Sequence, residues 1–131
     1  MHFSGMRQWP AGSDVVEVET ESGLVDLHND ATLIDIRIPC QPDLSVTVRF
    51  RTTDGRAAEL TFGSVLGLSF RQDEADGVSP YASGWDPDVA ETFYGAQFLP
   101  SGEERGEFEV GTIVGTLTFS AAAVAFRQWA E

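Results

Sequence analysis

The stretch HNDATLIDIRIP, residues 28–39, sets one of two histidines beside an asparagine and an aspartate, and the single cysteine, Cys40, follows it directly. Imidazole, carboxylate and thiol are the groups from which metal sites and nucleophilic dyads are built. Zinc takes three or four donors in a compact set, and His2, His28 and Cys40 are all the imidazole and thiol ligands in the chain. That count is too low. Cys40 lies between two prolines in IPCQP with no activating cation next to it, so it reads as a loop thiol rather than the nucleophile of a His28 dyad. QDEADG begins with Gln72 where a calcium loop needs an aspartate, and Ser83 falls where the closing glutamate belongs. Lysine is absent, which removes phosphate-loop and Schiff-base chemistry, and no G-x-S-x-G elbow is present. Acid pairs such as Asp86 with Asp88 or Glu103 with Glu104 read as surface carboxylates. No catalytic residue, metal or cofactor is expected.

The formal charge is −13 and unevenly distributed. Between Gln8 and Ile36 seven acids (Asp14, Glu17, Glu19, Glu21, Asp26, Asp30, Asp35) occur without a base. Between Gln72 and Glu104 eight more occur, again without one: Asp73, Glu74, Asp76, Asp86, Asp88, Glu91, Glu103 and Glu104. The rest of the chain has eight arginines against six acids. Surfaces of one sign steer an oppositely charged partner, so a basic protein is the expected partner. Direct nucleic-acid and anionic-membrane binding is disfavoured for want of a basic patch. Solubility, or life in high salt, is the competing explanation of the charge. Asp73, Glu74, Asp76, Asp86, Asp88 and Glu91, with Tyr81 and Trp85 as aromatic anchors among them, are the candidate partner-binding residues.

The elements that must position these residues are mostly strands. In LSVTVRF, Leu44, Val46, Val48 and Phe50 alternate with polar residues; in AAELTF, Ala58, Leu60 and Phe62 do so. A two-residue turn at Asp54-Gly55 would set Phe50 opposite Glu59. A three-residue turn, Thr53-Asp54-Gly55 with Gly55 left-handed, instead pairs Phe50 with Ala58, Val48 with Leu60 and Val46 with Phe62. That register keeps every apolar residue on one face. Further strands are expected at Ile34, Ile36 and Ile38, at Leu66, Leu68 and Phe70, at Ile113, Leu117 and Phe119, and at Val16 and Val18, whose glutamate-bearing face suits an edge. DPDVAETFYG predicts one short helix, with Asp86 as N-cap, Pro87 in the first turn and Gly95 as terminator. The segment 121–129 is ambiguous between helix and strand, and Val124 and Phe126 favour strand.

At 131 residues and 42% apolar content, one domain spanning 1–131 is expected. The fold class is mainly β: an antiparallel sheet folded as a sandwich or partly open barrel, with one short helix. The N-terminus has no signal-peptide core and no segment is long and apolar enough to span a bilayer, so the expectation is a soluble, cytoplasmic protein, monomeric or weakly dimeric.

HNDATLIDIRI resembles the strand-opening His-Asp-Ala or His-Asp-Ser turn of small β-rich bacterial immunity proteins from polymorphic-toxin and contact-dependent competition systems. LTFGSVLGLSF looks like that family's strand with Phe62 and Val65 flanking a small turn. VGTLTFSAAAVAF is similar to its closing pair, with Phe119, Ala122 and Val124. The resemblance covers residues 26–70 and 113–127, and Asn29, inserted between His28 and Asp30, departs from the family's pattern. It implies a non-enzymatic protein that binds and neutralises a cognate toxin, with His28 and Asp30 as turn and packing residues and Asn29 and Asp30 bonding local backbone amides. The alternatives are an intracellular binding module or DNA-mimicking inhibitor of the anti-restriction or anti-CRISPR type and, third, a small-molecule enzyme.

Overall fold

The computed structural model describes residues 1–12, 14–72, 93–102, 104–112 and 115–130. Among the described residues twelve strands run in chain order: β1 His2–Ser4, β2 Asp14–Val15, β3 Glu17–Thr20, β4 Gly23–Asp26, β5 Ala31–Arg37, β6 Val46–Thr52, β7 Arg56–Gly63, β8 Leu66–Gln72, β9 Phe93–Pro100, β10 Gly106–Thr112, β11 Gly115–Ala121 and β12 Ala123–Ala130. They form a five-stranded sheet ordered β1-β12-β7-β6-β5, a second ordered β2-β9-β10-β11-β8, and a separate β3–β4 hairpin. Among the described strands only β1, beside β12, pairs in parallel; the sheets face each other as an open sandwich, not a closed barrel.

The β6–β7 hairpin has the expected register, with Phe50 opposite Ala58, Val48 opposite Leu60 and Val46 opposite Phe62. Gly55 turns the chain at φ +86°, a backbone region that β-carbons disfavour, and its N–H donates to the Thr52 carbonyl. Burial alternates strictly along β6, so Val46, Val48 and Phe50 enter the core while Thr47, Arg49 and Arg51 face outward. On the other sheet Phe98, Phe108, Val110, Leu117 and Phe119 face inward. The Phe62 ring lies 5.0 Å from Phe108 and 4.9 Å from Phe119, both edge-on, so aromatic contacts bridge the layers. Gly106 carries no side chain because a Cβ there would run into the Phe98 ring.

The strands expected at Ile34–Ile38 and at Leu66–Phe70 form, as β5 and β8, with burial that departs from plain alternation, and the expected helix terminator needs correction. Ile34, Ile36 and Ile38 do not share one buried face, because the pairing of β5 with β6 shifts between Leu33 and Asp35 and leaves Ile34 as the extra residue of a bulge. Leu33 is therefore the buried residue, and Ile34 and Ile38 are exposed. Leu66, Leu68 and Phe70 do form a strand, but β8 is the rim of its sheet, and Leu66 and Phe70 are 60% and 55% exposed. Gly95 does not end a helix; it lies within β9 opposite Gly111, at φ +129°. Residues 86–92 of the expected helix are outside the described residues. Segment 121–129 resolves to strand: Ala121 ends β11 and the chain from Ala123 is β12, with Val124 and Phe126 buried against β7.

Phe50 is 2% exposed at the centre of this packing. Truncation to alanine should cost about 3–5 kcal/mol, as buried aromatic deletions do. Urea unfolding of Phe50→Ala beside wild type measures it; a loss under about 1 kcal/mol would refute the assigned core position.

Candidate binding surface

The histidine stretch is a hydrogen-bonded turn organised by an acid just upstream. Asp26 closes β4, and its Oδ1 accepts the backbone N–H of both His28 and Asn29 at 2.9 Å. The Asn29 side-chain amide donates to Oδ2 at 2.9 Å, and the Asp30 N–H to the Asp26 carbonyl at 3.0 Å. Asp26, not Asp30 or Asn29, is thus the acceptor of local amides, a side-chain-to-backbone turn that tightens the entry to β5. Donation from the Asn29 backbone and side chain, aided by His28, holds the Asp26 carboxyl below the ordinary aspartate range. The Asp30 carbonyl accepts from Thr53, tying this turn to the β6–β7 turn. Cys40 is exposed, with its thiol directed to the Ile38 carbonyl at 3.6 Å. Among the described residues no group of three or more histidine, cysteine or acidic side chains can hold a metal ion.

The first base-free segment folds into the β3–β4 hairpin. Val18 is fully buried, while Glu17, Glu19 and Glu21 are exposed. Glu17 lies opposite Asp26, a like-charge pair that isolated hairpins avoid, and Glu19 lies opposite Leu24, which is 60% exposed. An ion pair from Arg7 to Glu19 at 3.3 Å joins the hairpin to the N-terminal segment. Two open grooves meet at that pair. One, about 730 Å³, runs past Trp9, Pro10, Glu17 and Leu24; the other, about 600 Å³, runs past Met6, Thr20, Glu21 and Arg56.

The second base-free segment holds all eight predicted partner-binding residues. Asp73, Glu74, Asp76, Tyr81, Trp85, Asp86, Asp88 and Glu91 lie outside the described residues. Its described flanks are the end of β8 and the start of β9, which lie on opposite sides of the β10–β11 pair.

A positive face went unrecognised in the sequence. Arg49 of β6, Glu59 of β7 and Arg127 of β12 are aligned across the outer side of the first sheet, next to Asp35 of β5. Asp35 accepts from Arg37 at 3.4 Å and Arg49 at 3.2 Å; Glu59 faces Arg49 at 3.7 Å and Arg127 at 2.6 Å. Arg127 also lies 4.8 Å from the centre of the Trp129 ring. With Arg51, half of the eight arginines thus share one face with two acids. The R-x-R spacing in VTVRFRT was the available signal, since alternate residues of a strand share a face.

No family model matches the chain, and no curated protein and no solved structure does either.

Asp26 gives a pH test. Its folded carboxyl is depressed, so its contribution is fully present above the unfolded value of 3.8 and is lost as pH falls through the lower folded value. Asp26→Ala should unfold at lower temperature than wild type near neutrality, and the gap should narrow below about pH 4. Thermal midpoints from pH 2 to 7 read this; a gap independent of pH would contradict the carboxylate's role.

Proposed function

We propose that this protein is a non-enzymatic, cytoplasmic inhibitor of the immunity type, which binds a cognate basic toxin and neutralises it by occlusion. The observation that carries this reading is the separation of charge. Four of the eight arginines are gathered on one sheet face, whereas the β3–β4 hairpin presents Glu17, Glu19 and Glu21 beside open grooves. The base-free stretch from Gln72 to Glu104 adds eight acids. A toxin that cuts nucleic acid needs a basic cleft for phosphate, and carboxylates can occupy such a cleft as phosphate substitutes. Electrostatic matching of this kind acts on association rate and specificity. Tyr81 and Trp85 supply the buried contact that slows release.

Under this reading, reversing Asp73, Glu74, Asp76, Asp86 and Asp88 to lysine slows association while the thermal midpoint stays nearly unchanged. Stopped-flow binding to the basic protein retained from the source cell measures it, at low and high salt. Wild-type association should fall as salt rises, because exposed charges are screened beyond about 8 Å at physiological ionic strength. Equal rates for both proteins at low salt would sink the proposal. In the same assay Cys40→Ser and His28→Ala should bind as wild type does; loss of binding by a folded Cys40→Ser protein would point to thiol chemistry instead.

A further inference from the structure

The turn that sets the β6–β7 register has a reactive step at its tip, where Asp54 and Gly55 are exposed. In an Asp-Gly step the glycine nitrogen can attack the aspartate Cγ, because no side chain on the glycine shields it. Glycine is needed here, since the position stands at φ +86°. The residue that fixes the register therefore leaves its own nitrogen open to reaction. The attack requires a freed N–H and a protonated carboxyl whose hydroxyl can leave as water. Thr52 opposes both. Its carbonyl accepts the Gly55 N–H at 3.0 Å, and its hydroxyl donates to Asp54 Oδ1. The Arg56 N–H reaches the same carboxylate oxygen at 3.3 Å, and Arg56 Nε lies 3.5 Å from Oδ2. These groups, the Thr52 hydroxyl foremost, hold the Asp54 carboxyl below the ordinary aspartate range and so keep it as the unreactive carboxylate. Thr52 is itself buried, and its oxygen also accepts the Arg56 N–H at 3.1 Å. The turn is pinned from one further side, because the Thr53 N–H donates to the Asp30 carbonyl at 2.9 Å.

We infer that Asp54-Gly55 is an isoaspartate-forming site, which the folded turn keeps closed through Thr52 and which reacts when the turn opens. In the first step the bond from Gly55 N to Asp54 Cγ forms and the Cγ–OH bond breaks. The amide proton and the carboxyl hydroxyl leave together as one water. The cyclic imide so formed then takes up one water at either of its carbonyls, which returns aspartate or gives isoaspartate. The net change is an isomerisation at constant mass, and water is the only co-reactant. Isoaspartate routes the main chain through Cβ and Cγ and so lengthens it by a carbon within the turn. The three-residue loop that pairs Phe50 with Ala58 and Val48 with Leu60 is then lost. A copy whose turn has opened is marked in its covalent structure and does not regain the native register.

Ageing of the full chain in mildly acidic buffer, folded and in urea, tests the inference. Trypsin cuts after Arg51 and Arg56, so isoaspartate is read in the peptide 52–56 by chromatography and radical-driven fragmentation. The other Asp-Gly step of the chain, Asp76-Gly77, falls in a different peptide. Folded wild type should form isoaspartate at 54 about tenfold or more slowly than the unfolded chain, because the closed turn must first open. Thr52→Val keeps the carbonyl and the shape but lacks the hydroxyl, and should react several-fold faster than wild type when folded. Thr52→Ser should restore the slow rate, and all three proteins should react alike in urea. The comparison of folded with unfolded wild type needs no variant, so it decides even where Thr52→Val does not fold. Absence of isoaspartate at 54 in the unfolded chain, or equal folded and unfolded rates, overturns the inference. So does a Thr52→Val protein that keeps native amide protection in β6 and β7 yet reacts no faster than wild type.

Discussion

Phe62 against Phe108 and Phe119 is the contact on which the sandwich depends. β7 is the central strand of one sheet and β10 of the other, so these rings join the layers centre to centre. Around them Trp9 approaches Phe62 at 6.3 Å and Phe108 at 6.4 Å, and Phe98 stacks on Phe108 at 5.2 Å. Each such pair is worth roughly 0.5–1.5 kcal/mol beyond the area it removes from water. Trp9 belongs to the chain between β1 and β2, and its indole N–H donates to the Glu17 carbonyl at 3.2 Å. The ring cluster thereby also seats the start of the acidic hairpin, with Val18 fully buried beneath it.

A core held this way leaves charge to be arranged on the outside. The Asp35, Arg49, Glu59 and Arg127 row alternates in sign across four strands, and each carboxylate serves two guanidinium groups. Arg37 and Arg127 are exposed and Asp35, Arg49 and Glu59 half-buried, and ion pairs on a solvent-facing sheet surface contribute little to stability, about 0–1 kcal/mol each. Their larger consequence is spatial: four of the eight arginines lie on the outer face of the first sheet, whereas the β3–β4 hairpin has Arg7 paired with Glu19 and the Gln72–Glu104 stretch contains no base.

The parts of this fold legible in the sequence are those where local and global preferences agree. The Thr53-Asp54-Gly55 turn and the alternation on both sides of it admit one register, and that register is found. Asymmetry was harder to read. The isoleucines of β5 alternate perfectly, but a bulge at Ile34, set by pairing with a distant strand, reassigns their faces. Gly95 looks like a helix terminator because glycine tolerates positive φ, and the same property serves a strand passing close to the Val15 carbonyl. In the turn ahead of β5, an Asp two residues ahead of His28 was the turn former, and the pattern D-x-H-N records it. The meeting of Arg49, Glu59 and Arg127 rests on the pairing of β7 with β12, more than sixty residues apart in sequence, which periodicity cannot supply.

The central claim is that the aromatic core is a scaffold and the acidic segments are the binding surface. Amide hydrogen exchange on the protein alone and bound to the basic protein it retains from its source cell tests this most directly. Protection should rise within residues 72–104 and along the β3–β4 hairpin, while exchange in β6 and β7 stays as it was. Added protection confined to the outer face of the first sheet, with the acidic segments unchanged, would contradict it.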